Sequence, residues 1–284
     1  MECRTQRFPA FLLAAFVCLF FSKPFDGQLA KQQHARLSLI SQQASLAPGQ
    51  SEWIGLRFEL DPGWHIYWTN PGDSGEPPKV SWQLPDGFRA GELQFPAPKR
   101  IPDHSLVDYG YEGSVVLLAR LTRAGSSSSN SGEIAADVKY LVCRDVCIPA
   151  QDRASLNAES APGSRNAAQI GAARKHLPQS LPPGSHISAR ATADNFILTV
   201  GTRSTPALGQ VTDFIPADEQ VIENTARPVI EPGLDGEEIR LKKSEQLNHP
   251  VRRLRGLLIC GERAYNISIP VSSDKKQSSM PMKE

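Results

Sequence analysis

Trp53-Ile-Gly-Leu-Arg-Phe-Glu-Leu60 alternates with a period of two, and so does His34-Ala-Arg-Leu-Ser-Leu-Ile40 before it. That period belongs to strands with one face buried. Ala47-Pro-Gly-Gln50 is a turn between them, and Pro62-Gly63 ends the second run. A long loop, Asn70-Pro-Gly-Asp-Ser-Gly-Glu-Pro-Pro78, precedes a short strand at Val80–Leu84, which Pro85-Asp-Gly87 closes. Ser114-Val-Val-Leu-Leu-Ala-Arg-Leu121 is apolar enough to lie centrally, and Ser126–Gly132 reads as a flexible hairpin tip. Ile134–Val142 is the next strand and runs directly into Cys143. Turn signals every ~8–12 residues predict an all-β sandwich or barrel.

The whole-chain numbers agree. A chain of 284 residues suggests one large domain or two ordinary ones. The 23 prolines and 21 glycines favour many short strands over long helices. Lys plus Arg total 31 against 30 Asp plus Glu, a net charge of +1, which argues against a nucleic-acid partner or an acidic membrane surface. With 40% hydrophobic residues the chain can bury a core.

Outward from the strands, Arg4 and Arg7 precede an apolar run, Phe8–Phe21. The run is shorter than the ~20 residues a membrane-spanning helix needs, so residues 1–30 read as a secretory signal peptide. Beyond Leu156, the segment 158–182 reads as a linker with a short helix over Asn166–Leu177. Strand patterns resume at His186–Ala191, Asn195–Val200, Gly256–Cys260 and Tyr265–Pro270, which places a second β-domain at 183–272. Residues 273–284 are polar and read as a disordered tail.

Export changes the reading of the cysteines. Cys3 and Cys18 lie in the signal, leaving Cys143, Cys147 and Cys260. Close cysteines in an oxidising compartment point to a disulfide or a redox pair. An extended C-x3-C segment would separate the two Cα atoms by about 13 Å, beyond the roughly 4.4–6.8 Å of a disulfide. The chain must therefore fold back through Arg144-Asp145-Val146, for which a helical turn would suffice, with Pro149 stopping any helix. So short a loop gives a chain-entropy stabilisation of only about 2 kcal/mol. Structural staple, redox exchange and metal binding all stay open on spacing alone. A soft-metal site would draw on His65, His104, Cys143 and Cys147, but no histidines show tight ligand spacing, and solvated or core histidines are the plainer reading. Cys260, in an apolar strand, reads as a buried inert thiol. Nothing suggests a Ser-His-Asp set or a phosphate loop, and the sequence requires no metal and no cofactor.

Several segments together carry a resemblance. They are Gly63-Trp-His-Ile-Tyr-Trp68, Asn70-Pro-Gly-Asp-Ser-Gly75 with Pro77-Pro78, Trp82-Gln-Leu-Pro85, Pro96, Tyr109-Gly-Tyr-Glu112 and Val142-Cys-Arg-Asp-Val-Cys-Ile-Pro149. In this order, the stretch from about Ala35 to Ala150 resembles the N-terminal periplasmic domain of the DsbD thiol:disulfide interchange family, including its copper-tolerance relatives. The second half is more weakly similar to the family's following β-domain, through Asp213-Phe-Ile-Pro216, Gly256 and Tyr265–Pro270.

The resemblance implies an immunoglobulin-like β-sandwich over 34–157, followed by a second, smaller β-domain. It implies that Cys143 and Cys147 are a catalytic redox pair in a periplasmic protein. Electrons would come from a membrane-embedded thiol-disulfide transporter and pass to periplasmic thioredoxin-like or disulfide isomerase proteins. Some family members space the cysteines more widely, so pair geometry does not carry over. The family's membrane helices and thioredoxin-like domain have no counterpart in this sequence, so a separate membrane protein is expected to supply the electrons.

Cys147 is the expected attacking thiol, with Arg144 favouring thiolate and Asp145 opposing it. A non-catalytic binding module with a structural disulfide, or a copper-binding accessory protein, is the alternative. Tyr67, Trp68, Tyr109 and Tyr111 are candidates for a cap over the cysteines, set against core packing, and the Asn70–Pro78 loop is the candidate mobile element. Because every residue of the redox motif precedes the linker, residues 34–157 are expected to fold and exchange thiols alone.

Overall fold

The computed structural model describes residues 34–43, 46–125, 132–157 and 163–273. The expected signal peptide, the Ser126–Ser131 tip and the tail from 274 lie outside the described residues. Strands fill the first half: β1 (Ala35–Ser41), β2 (Ser51–Leu60), β3 (His65–Gly72), β4 (Lys79–Gln83), β5 (Phe88–Ala90), β6 (Lys99–Asp103), β7 (Leu106–Glu112), β8 (Ser114–Arg123), β9 (Glu133–Cys143) and β10 (Cys147–Asn157). They form two sheets, β1-β2-β8-β5 and β10-β9-β3-β7-β6, with β4 also paired to β9. This is an all-β, immunoglobulin-like sandwich.

The period-two patterns place the core. Ile54, Leu56 and Phe58 of β2 and Leu117, Ala119 and Leu121 of β8 are buried between the sheets with Ile66, Val138 and Tyr140. Phe58 meets Tyr140 edge-on at 5.1 Å between ring centres. Each of the large aliphatic and phenylalanine side chains among them stabilises the fold by ~1.5–3 kcal/mol. The nearly continuous apolar run of β8 has a cause beyond its central place. Leu118, on the opposite face from Leu117 and Ala119, is covered by helix α1 (Gly163–Lys175), whose Ile170 and Ala173 pack on Ile40 and Leu118. The helix read as part of a linker is therefore docked on the first sandwich. Arg174 and Lys175 close it favourably for the helix dipole, and Pro178 prevents its continuation.

The second half contributes β11 (Gln179–Ser180), β12 (Ile187–Ala191), β13 (Asn195–Gly201), a single turn α2 (Thr205–Leu208), β14 (Asp213–Pro216), β15 (Val229–Pro232), β16 (Gly236–Lys242), β17 (Arg253–Cys260) and β18 (Arg263–Ser273). Its strands join as β14-β17-β18-β12-β13-β16-β15, with β11 on β18, and bury Phe196, Leu198, Phe214, Ile239, Leu258 and Tyr265 in a core of their own. This is the second β-domain. Ile215 and Leu257 turn the other way and are buried in the core cluster of the first sandwich. All the described residues fall in one compact unit.

Candidate functional site

The cysteines end one strand and begin the next. β9 and β10 pair antiparallel with Cys143 directly opposite Cys147, and the three-residue loop between them is closed by the Arg144 N–H donating to the Val146 carbonyl at 3.2 Å. The chain folds back as the disulfide requires, but as a tight hairpin and not as the helical turn considered from sequence. Pro149 sits within β10 opposite Leu141, not at a helix end. β10 is an edge strand, where a missing N–H is tolerated. A Cys143–Cys147 disulfide bridges the hairpin, with the Cα atoms 4.1 Å apart. This is close to the ~4.5 Å of a non-hydrogen-bonded antiparallel pair, so the hairpin itself brings the sulfurs together.

The two sulfurs have different surroundings. Cys143 is 1% exposed, whereas Cys147 lies at the surface with Arg144, Asp145 and Val146. The charges flanking the pair neutralise one another: Arg144 Nε is 2.8 Å from Asp145 Oδ2, and its guanidinium lies over the Trp64 ring.

Behind Cys143 is β3. His65 is its register partner, so His65, Cys143 and Cys147 share one face across three strands. Tyr67, two residues on, points the same way. Its hydroxyl is 3.5 Å from Cys147 Sγ and 3.4 Å from Ser74 Oγ. Ser74 donates its hydroxyl to the buried Asp108 carboxylate, at 3.1 and 3.0 Å from the two oxygens, and its N–H donates to Oδ1 at 3.0 Å. An ionised carboxylate can only accept, so the Ser74 proton is committed to it and the Tyr67 proton is directed at Ser74 and Cys147. Burial pushes the Tyr67 hydroxyl up to about 12, with the Asp108 charge adding to the rise against a lowering contact from Ser74. It stays protonated at neutral pH. His65 is buried with Nε2 at 3.5 Å from Asp108 Oδ2, within ion-pair reach but without a hydrogen-bond partner.

Gly75 closes the arrangement. A Cβ there would stand 2.1 Å from Tyr67 Cζ, and its φ of +82° suits glycine. Gly75 therefore packs directly against the hydroxyl end of the Tyr67 ring.

Of the four aromatic cap candidates, Tyr67 is the one hydrogen-bonded to a cysteine among the described residues. Trp68, Tyr109 and Tyr111 belong to the sandwich core. The Tyr111 hydroxyl donates to the Pro96 carbonyl at 2.7 Å, and that of Tyr109 to Asn224 Oδ1 at 2.8 Å. Their glycine, Gly110, serves close strand packing: a Cβ would come within 2.2 Å of the Ile66 carbonyl oxygen. His104 is exposed in the β6–β7 turn beside Asp103, apart from His65 in the core. Among the described residues no three His, Cys, Asp or Glu side chains are grouped to hold a metal ion. Cys260 is buried and unbridged, and burial pushes its thiol up to about 11.

Sequence reading did not single out Ser74, Gly75 and Asp108 one by one. The available signal was a carboxylate within an otherwise apolar and aromatic run, Val107-Asp-Tyr-Gly-Tyr111, a position that burial makes costly without partners.

Residues 36–159 match the family model for the thiol:disulfide interchange protein DsbD, N-terminal. The crystal structure of the N-terminal periplasmic domain of ScsB from Proteus mirabilis superposes with a TM-score of 0.64 at 16% identity, covering 86% of this chain and 96% of that one. The sporulation control protein Spo0M from Bacillus subtilis aligns at a TM-score of 0.23 and 10% identity, over 83% of this chain and 91% of that one. Among curated proteins none matches the sequence.

Proposed function

We propose, on the match of residues 36–159 to the DsbD N-terminal family model, that this protein carries reducing equivalents in the periplasm through Cys143 and Cys147. The carrying observation is the asymmetry of the pair, an exposed Cys147 bonded to a buried Cys143. A dithiol donor approaches from solvent and its thiolate attacks Cys147 Sγ. The bridging electron pair leaves on Cys143, which takes up a proton, and a mixed disulfide joins the donor to Cys147. The donor's second thiol then attacks its own sulfur in that bond and releases Cys147, which is protonated. Two electrons and two protons have moved, leaving a donor disulfide and a protein dithiol. The reverse sequence, with Cys147 attacking and Cys143 resolving, passes them to an acceptor disulfide.

Tyr67 supports this chemistry from two sides. Its ring and the Asp73–Gly75 turn shield the sulfurs from the interior side, and its proton is available to a Cys147 thiolate. The cap expected from sequence is thus proposed for Tyr67 alone. The donor is a membrane-embedded thiol protein, and the acceptors are exported thioredoxin-like or disulfide isomerase proteins.

Single-cysteine variants test the assignment in an extract of exported proteins. Cys143→Ala, which keeps the exposed thiol, is expected to accumulate mixed disulfides that dithiothreitol releases. Cys147→Ala is expected to accumulate none. Trapping by neither variant would count against thiol exchange, and trapping by Cys147→Ala alone would reverse the roles of the two sulfurs.

A further inference from the structure

Two hydrogen bonds join the second β-domain to the segment that packs on Tyr67. The Asn70 amide, 1% exposed, donates to the Pro216 carbonyl at 2.9 Å, and its Oδ1 accepts the Gly72 N–H at 3.0 Å. Three residues along, Asp73 Oδ1 accepts from Asn224 Nδ2 at 2.8 Å, while its Oδ2 accepts the Val107 N–H at 2.7 Å. Asn224 itself is buried, and every hydrogen bond described for its side chain and carbonyl faces the first sandwich. Its Oδ1 accepts from Tyr109, and its backbone carbonyl accepts from Arg100 at 2.9 Å. Arg100 is 5% exposed and closes the joint with a paired contact to Asp213, at 2.8 and 3.2 Å, and a donation to the Phe214 carbonyl at 2.9 Å.

The anchored segment reaches the redox pair through Tyr67. Asp73 precedes Ser74 and Gly75, which contact the hydroxyl and the ring of Tyr67, and Tyr67 contacts Cys147 Sγ. β3 is irregular between Tyr67 and Gly72, so regular strand pairing does not fix this stretch. The turn beyond Gly72 is tied to β7 by its own bonds, the Asp73 N–H to the Val107 carbonyl at 3.2 Å and Ser74 to Asp108, and among the described hydrogen bonds Asn224 is its tie to the second domain.

Resting on the exchange reading above, we infer that Asn224 of the second domain is a positioning residue for the redox pair. It holds the Asp73–Gly75 turn against Tyr67 and so sets how readily the Cys143–Cys147 bridge is attacked. The second domain is then a working part of the redox site and not an appended module. The inference concerns chemistry of the bridge already written: thiolate attack on Cys147 Sγ with Cys143 as leaving group, dithiothreitol serving as the dithiol donor that ends as its cyclic disulfide.

The experiment measures the rate of that reduction on the full folded chain, with thermal stability recorded alongside. Asn224→Asp keeps the size and the acceptor for Tyr109 but sets a carboxylate against Asp73. Asn224→Ala removes the contact without adding charge and serves where the charged variant folds poorly. The reciprocal double variant, Asp73→Asn with Asn224→Asp, restores one donor and one acceptor with their direction reversed. Loss of a single hydrogen bond leads us to expect reduction about five- to tenfold faster in both single variants and a return to within about twofold of wild type in the double variant. General loosening of the domain joint would not be repaired by the swap. Single variants that react at the wild-type rate, or a double variant as fast as Asn224→Asp, overturn the inference while leaving the exchange reading intact. A folded wild-type bridge that dithiothreitol does not reduce overturns both.

Discussion

Cys143 and Cys147 face each other across one hairpin, yet only Cys147 meets solvent, and Tyr67 stands on the interior side of it. The tyrosines separate by what their hydroxyls touch. Tyr67→Phe keeps the shielding ring but removes the proton offered to a Cys147 thiolate, so it is expected to slow reduction of the bridge while lowering stability by less than ~1 kcal/mol, because its two contacts are long. Tyr111→Phe leaves the buried Pro96 carbonyl without its donor, so stability should drop by ~1–3 kcal/mol at an unchanged rate of reduction. Urea unfolding together with timed alkylation reads both effects. Alkaline pH gives a further test. Tyr67 ionises near 10.0 when unfolded and at about 12 when folded, chiefly through burial. Its contribution is therefore complete below pH 10 and is lost as pH rises towards 12. Burial raises Tyr109, Tyr111 and Tyr140 as well, so the wild type should weaken steadily above pH 10, and Tyr67→Phe should weaken less steeply. Parallel urea midpoints for the two proteins across that range would contradict this account of Tyr67.

At the scale of elements, the site is a hairpin backed by an irregular strand and a turn. The turn's tolerance is narrow. Gly75→Ala must displace the Tyr67 ring and adopt an unfavourable φ, so it should cost more than ~1 kcal/mol and open the interior side of the bridge to faster reduction. An alanine variant with wild-type kinetics would show that the turn does not hold the ring. Legibility followed burial. β2, β8 and β9 were readable because each buries a regular apolar face between the sheets. β10 was not, since it is an edge strand whose covered face, Ile148, Ala150, Asp152, Ala154 and Leu156, is only partly buried and is interrupted by Asp152. β3 was not, because its irregular pairing beyond Tyr67 gives Asn70-Pro-Gly72 the composition of a loop. The cysteines were visible from their spacing. Tyr109 and Tyr111 looked like Tyr67 in sequence, and only the fold separates core hydroxyls from the one beside the sulfur.

Across the whole molecule, a chain read as two modules shares a core and a polar joint. Ile215 and Leu257 lie in the first sandwich's core cluster, and Arg100 reaches Asp213. These contacts are long-range in sequence, which is why composition alone drew a clean boundary at the linker. Residues 34–157 alone are expected to fold and exchange thiols, but to be less stable than the full chain by at least ~1.5 kcal/mol, the worth of one large apolar side chain uncovered. Their bridge should also be reduced faster, since the Asp73 anchor is gone. Denaturant unfolding of fragment and full chain checks the first point, and timed alkylation the second. The central claim, that Cys143–Cys147 is a reversible redox pair and not a staple, is met most directly by its reduction potential. The full chain is equilibrated in dithiothreitol or glutathione redox buffers, and free thiols are counted by alkylation. A potential above about −300 mV is the expected result, and one below it would mark a structural bridge and contradict the claim.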